Sequence, residues 1–126
     1  MDMTVLNRTL KTYFDMMLGT NLTSYKVSRQ EGFAKVEKII FATSKVTGVS
    51  ISDIMSRRRD PKLVHARHIV MFLAHELTTL SYVSIGRAMD RDHTSIMYAI
   101  KKLNNRGRGK SKVNTDMAKI KKLLAA

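Results

Sequence analysis

Cysteine and tryptophan are both absent from the 126 residues, and there is a single proline, Pro61. Without cysteine there can be no disulfide, no thiolate nucleophile and no cysteine-bound metal, which accords with a reducing interior. Scarce proline removes the strongest helix breaker, and with nine methionines the composition favours a helical chain. Acidic side chains are few as well: 10 Asp and Glu stand against 23 Lys and Arg, a formal net charge of +13. That imbalance calls for a polyanionic partner, and nucleic acid leads. Long apolar runs are also missing. Stretches such as Ile69 to Ala74 fall far short of the ~20 residues a membrane span needs. Met1 to Gly19 carries Asp2 early and no unbroken apolar segment, so no secretory leader is expected. The expected location is cytoplasmic and nucleoid-associated.

What is present is helical periodicity. Thr4 to Leu18 places Leu6, Leu10, Tyr13 and Met17 on one stripe, an amphipathic helix stopped by Gly19, suited to covering the core or to self-association. Thr20 to Gly32 has no clear period and reads as a linker. From Phe33 a second helix begins, with Val36, Ile40 and Thr43 on one face, ending near Gly48. Ser50 can cap a short helix, with Asp53 three residues on to reach back and Val49 and Ile54 as a staple. It leads into Arg57-Arg58-Arg59-Asp60-Pro61-Lys62, where three adjacent guanidinium groups repel one another unless phosphates or a groove neutralise them.

Pro61 suits the first turn of a long helix, Lys62 to Leu80, with Leu63, Ala66, Val70, Leu73, Leu77 and Leu80 as its core stripe. His68, Met71 and His75 line its other side, with Val64 and Phe72 close by, so something is expected to cover part of that face too. The helix from Phe33 or the N-terminal one could do so. Ser81 can cap Tyr82 to Ala88, Met89-Asp90-Arg91 makes a turn, and Asp92 caps a further helix. In that helix Ile96, Ala99, Ile100 and Leu103 face inward while Thr94, Tyr98, Lys101 and Lys102 remain for a partner. This is a helix-turn-helix, whose second helix presents its first turn to a major groove. Gly86 reads either as a close helix crossing, the favoured reading, or as an ordinary helix residue. Asn104 to Lys112 is basic and glycine-rich, hence mobile and attracted to phosphate. Its Gly109-Lys110-Ser111 is not a nucleotide-binding loop, since the required first glycine would fall at Asn104 and no strand precedes it. Thr115 to Leu124 reads as a last amphipathic helix.

With these residues in view, Val49 to Leu103 resembles the C-terminal DNA-binding domain of the DnaA family, the bacterial chromosomal replication initiators. The resemblance rests on Ser56-Arg57-Arg58-Arg59, on Ala66-Arg67-His68 followed by Leu73-Ala74-His75-Glu76-Leu77, on Ile85-Gly86-Arg87-Ala88, and on the signature run Arg91-Asp92-His93-Thr94-Ser95. It implies an all-α helix-turn-helix bundle of the DnaA C-terminal, Trp-repressor-like type, here with extra N- and C-terminal helices. The expected organisation is an N-terminal helix and linker over 1–31, the reading domain over 32–105, and a basic linker and helix over 106–126.

By the same resemblance the partner is double-stranded DNA at DnaA-box-like sites. Arg59 corresponds to a loop arginine that enters the minor groove, flanked by Arg57, Arg58 and Lys62. Asp92, His93, Thr94 and Ser95, preceded by Arg91, correspond to the turn facing base edges and nearby phosphates. Arg67, His68 and His75 correspond to phosphate and base contacts along the long helix, with His68 where glutamine is common and His75 where lysine is common. Asp90 replaces a two-glycine turn with one residue fewer, from which a tilt of the recognition helix is expected. Nothing resembles the nucleotide-hydrolysing module of full initiators, so no ATP-driven step is expected. His65, His68 and His75 do not converge as metal ligands and no paired carboxylates or catalytic triad emerge, so neither enzyme, cofactor nor metal is expected. Two outputs stay open. One is a DNA-binding protein acting in replication initiation, its regulation or transcription; the other is an interaction protein that recruits or sequesters an initiator through residues 4–18.

Overall fold

The computed structural model describes residues 27–107, 109 and 111–125, and the helix expected over 4–18, with its covering and self-association readings, lies outside them. Among the described residues there are helices and no strands: α1 Val27–Thr47, α2 Ile51–Met55, α3 Pro61–Leu77, α4 Tyr82–Met89, α5 His93–Asn104 and α6 Lys112–Ala125. The all-α reading holds.

Helix starts follow local chemistry. Ser50, Ser81 and Asp92 occupy the N-cap positions of α2, α4 and α5, and their side chains accept from the backbone N–H of Asp53, Ser84 and Thr94. Each bond satisfies one donor that a helix start leaves unpaired, worth about 1 kcal/mol. Asp53 does not reach back to complete a box; its carboxylate lies toward Arg58 at 3.6 Å instead.

Other boundaries depend on tertiary contacts. The first described helix starts at Val27, six residues before Phe33, and passes through Gly32. Gly32 is buried, and a Cβ there would meet the Leu80 side chain at 2.8 Å, so this glycine makes room for a neighbour instead of ending a linker. The long helix stops at Leu77, short of Leu80. The Thr78 hydroxyl donates to the Ala74 carbonyl at 2.5 Å and accepts from the Leu80 N–H at 3.2 Å, turning the chain out of the helix. Leu77 is consequently 38% exposed and Leu80 folds back to 9%.

The central element is α3, which packs against all five other helices among the described residues. Ala66, Ile69, Val70, Leu73 and Ala74 are fully enclosed there, meeting Val36, Ile39 and Ile40 of α1, Ile54 of α2, Ile85 of α4, and Ile96 and Ala99 of α5 in one core. Truncating Ile69 or Leu73 to Ala is expected to cost about 2–5 kcal/mol. The second face of α3 is covered from later in the chain as well as by neighbouring α1: Tyr98 meets His68 edge-on at 5.9 Å, and the Arg106 guanidinium lies 4.7 Å over the Phe72 ring.

The C-terminal helix begins at Lys112, ahead of the expected Thr115. Met117 and Ile120 enter the core. Ahead of it, the Asn114 amide donates to the carbonyls of Gly107 and Gly109 at 3.0 and 2.9 Å and accepts from Arg106 Nε at 2.6 Å. On α3, His65 Nε2 sits 3.1 Å from the Asp116 carboxylate and ties the same helix down.

Candidate nucleic-acid interface

The arginine run forms a loop between α2 and α3, and its three guanidinium groups differ in surroundings. Arg57 pairs with the Asp90 carboxylate at 3.1 Å, and Arg58 pairs with Asp60 at 2.5 Å and Asp53 at 3.6 Å. Among the described residues Arg59 forms no ion pair. It is therefore the arginine of the run whose full charge is left for a partner.

Two further arginines fix the loop. Arg67, 5% exposed, extends from α3 beneath it: Nε donates to the Ile54 carbonyl at 2.8 Å, one terminal nitrogen to the Arg58 carbonyl at 2.5 Å, and the other to the Asp53 carbonyl at 2.9 Å and Ser56 Oγ at 3.1 Å. These bonds satisfy carbonyls at the frayed end of short α2. Burial, then the like charge of Arg91, lowers the Arg67 pKa. The fork is engaged internally and supports the loop, and Arg67 also lines the hollow at the loop's side. Arg91 reaches across from the turn, donating to the Ser56 carbonyl as well as to Met89 and Asp90.

The turn itself is compact. A Cβ on Gly86 would lie 2.5 Å from the Arg91 carbonyl oxygen, while the Arg91 N–H donates to the Gly86 carbonyl at 2.7 Å. The close-approach reading of Gly86 is the correct one, although the approach is to the turn. Asp90 adopts φ 55° and ψ 50°, the left-handed conformation that glycine would take without strain. Its carboxylate is thereby placed on Arg57.

Beyond the turn, Asp92, His93, Thr94 and Ser95 are exposed on the first turn of α5. The Asp92 carboxylate accepts from the Thr94 N–H at 3.4 Å and lies 2.8 Å from His93 Nδ1. The Thr94 bond, foremost, lowers its pKa, so the cap is ionised near neutrality. Thr94 and Ser95 line an open hollow of about 580 Å³ together with Arg59, His68, Tyr98 and Lys102. His68 is half-buried, and burial, followed by the nearby charge of Lys102, lowers its pKa, favouring neutral imidazole.

The remaining expected residues are dispersed. Lys62 and Lys101 are exposed outside this hollow. His75 stacks against Tyr82 at 5.1 Å, at the far end of α3. Sequence reasoning passed over Ser56, Tyr82 and the carboxylate of Asp90 as participants. Of these only Asp90 carried a signal, as an acidic residue standing in a turn built for glycine. Among the described residues no three His, Asp or Glu side chains come together as a metal site, and no helix is long and apolar enough to cross a membrane.

These features agree with comparisons to known proteins. The chain is similar to chromosomal replication initiator proteins DnaA of Buchnera aphidicola subsp. Cinara cedri, 38% identical over 82 residues, and of a Thermoanaerobacter species, 32% identical over 95. These alignments cover 64% and 75% of this chain but 18% and 21% of the relatives, so it spans about a fifth of their length. A third, from Xanthobacter autotrophicus, is 38% identical over 71 residues, 56% of this chain and 14% of that protein. The family model for the bacterial DnaA helix-turn-helix matches residues 36–103, from the middle of α1 to the end of the α5 core stripe. With more than half its length matched on this fold, the chain belongs to the bacterial DnaA helix-turn-helix family.

Proposed function

We propose that the chain binds duplex DNA sequence-specifically at DnaA-box-like sites, in replication initiation or its regulation. The observation that carries the reading is the pairing pattern of the arginine loop. Arg57 and Arg58 are drawn onto Asp90, Asp53 and Asp60, whereas, among the described residues, Arg59 is the arginine of the run that forms no ion pair, and it lines the same hollow as the first turn of α5. A minor-groove arginine and a major-groove helix turn then face one hollow and engage adjacent grooves of one duplex.

In this reading Arg59 enters the minor groove, while Thr94 offers a methyl to thymine and a hydroxyl to phosphate, and His93 and Ser95 contact neighbouring edges. Asp92 holds the turn and can accept from cytosine. Each good base contact is worth about 1–3 kcal/mol of discrimination. Lys62, Lys101 and Lys102 supply phosphate neutralisation, His68 and Tyr98 bridge the two reading parts, and His75 marks the outer limit. Arg57, Arg67 and Arg91 hold the geometry. The test is selection of bound sequences from a random duplex pool in moderate salt, followed by direct titration. A DnaA-box duplex is expected to be recovered and to bind more tightly than its shuffled counterpart; equal affinity for the two defeats the reading.

A further inference from the structure

The hollow between the arginine loop and α5 does not end at the reading face. A second hollow shares Arg59, His68 and Lys102 with it and continues to Arg106 and Val113. A third shares Pro61 and His65 with the second and ends between Lys62 and Lys112. Together they form a track around the first two turns of α3, from the loop to the start of α6. No acidic side chain lines the first or second hollow, and the one in the third, Asp116, is already paired with His65 at 3.1 Å. Lys62 and Lys112 are exposed and, among the described residues, form no ion pair, so two ammonium groups flank the far end, while the Asp116 carboxylate of that hollow is turned onto His65.

We propose that this track is a second phosphodiester-binding surface, which seats the DNA backbone flanking the box on the minor-groove side, with Lys62 and Lys112 as its outer contacts. The proposal rests on the duplex-reading function above. Continuity carries it: Arg59, placed in the minor groove, stands where the first two hollows meet, so a strand leaving that groove lies along the second. Pro61 to His68 rises about 10 Å along α3, and each strand presents a phosphate per about 3.4 Å of duplex axis. The track therefore has room for two or three phosphates. Arg106 is its positioning residue, since its guanidinium lies over Phe72 and bonds the Leu103 carbonyl and Asn114, holding the segment that delivers Lys112.

The test uses the full chain and three duplexes: the box alone, and the box extended by about one helical turn on either side. The extension on one side is expected to tighten binding about tenfold and to steepen the salt dependence by about two units, near 0.9 per phosphate contacted. Lys112→Glu is expected to remove at least half of that gain while leaving affinity for the short duplex, and preference for the box over a shuffled one, unchanged. An acidic side chain in the first turn of α6 favours the helix dipole, so the substitution does not disfavour folding. Should it still fold poorly by circular dichroism, Lys112→Gln replaces it, with the same expected direction. Equal affinity for all three duplexes, or a loss in the variant that is identical with and without the flank, overturns the track. Equal binding to box and shuffled duplexes overturns the reading beneath it, and the two failures are separately visible.

Discussion

Arginines that look alike in the sequence divide sharply by surroundings. Arg59→Ala is expected to weaken binding to a box duplex by ten- to a hundredfold, about 1–3 kcal/mol, whereas Arg58→Ala, whose charge is already shared by Asp53 and Asp60, is expected to change it less than threefold; fluorescence anisotropy separates them. Arg67 acts on stability. Its removal strands the buried Ile54 carbonyl and takes the partner from the part-buried Arg58 carbonyl, while the Asp53 carbonyl keeps its bonds from the Ser56 N–H and hydroxyl; an unpaired buried group costs about 1–3 kcal/mol. Urea unfolding of Arg67→Ala is expected to show a loss of about 2 kcal/mol or more, and Arg67→Lys cannot restore a fork of donors. His68 gives a pH dependence. Burial and Lys102 lower its pKa from the ordinary 6.5, so the unfolded chain takes up this proton at higher pH than the folded one. Stability from neutral His68 is therefore complete above 6.5 and falls as acidification proceeds below it. Thermal melts of His68→Gln should show a weaker decline over that window. The arginine run and the signature run were legible because they are contiguous. The inward turn of Arg67 was not, because helical spacing assigns a face without showing that the carbonyls of α2 lie beneath it.

At the level of elements, the caps Ser50, Ser81 and Asp92 were readable because a cap is decided within four residues. Ends set by packing were not: α3 stops at Leu77 because Thr78 captures the Ala74 carbonyl, and α1 runs through Gly32 because Leu80 needs the space. The α4–α5 turn combines both kinds of cause. Gly86→Ala would drive a methyl against a backbone oxygen that cannot swing aside, 2.5 Å from where Cβ would sit. A loss of about 1–3 kcal/mol in urea unfolding is expected. Asp90→Gly should act oppositely, gaining about 1 kcal/mol by relieving the left-handed backbone while freeing Arg57 from its carboxylate. In α1, Thr43 is fully buried and its hydroxyl finds no partner among the described residues. Thr43→Val keeps the shape and removes the unpaired group, so a stability gain of about 1 kcal/mol is expected in the same measurement.

Across the whole molecule, the excess positive charge is distributed over a frame that does not end with the family match. The C-terminal helix lies beyond residue 103, yet it buries Met117 and Ile120 and holds His65 through Asp116. Its apolar stripe was visible in the sequence; the docking of that stripe on α1 and α3 was not, because periodicity names a face without naming what it meets. Removing residues 107–126 is expected to lower the thermal midpoint by more than 10 °C or to abolish cooperative melting, since uncovering two large core side chains costs about 2–5 kcal/mol each. One consequence of the tethers on the arginine loop belongs to this scale. With Arg67 below and Arg91 and Asp90 beside it, the loop is fixed to the same frame as α5. In the proposed reading, the distance between the two groove contacts is then set by the protein, which would meet a duplex as a rigid caliper. Any mismatch in twist or minor-groove width must be absorbed by the duplex, so base pairs lying between the contacts, touched by no side chain, are expected to influence affinity through their stiffness alone.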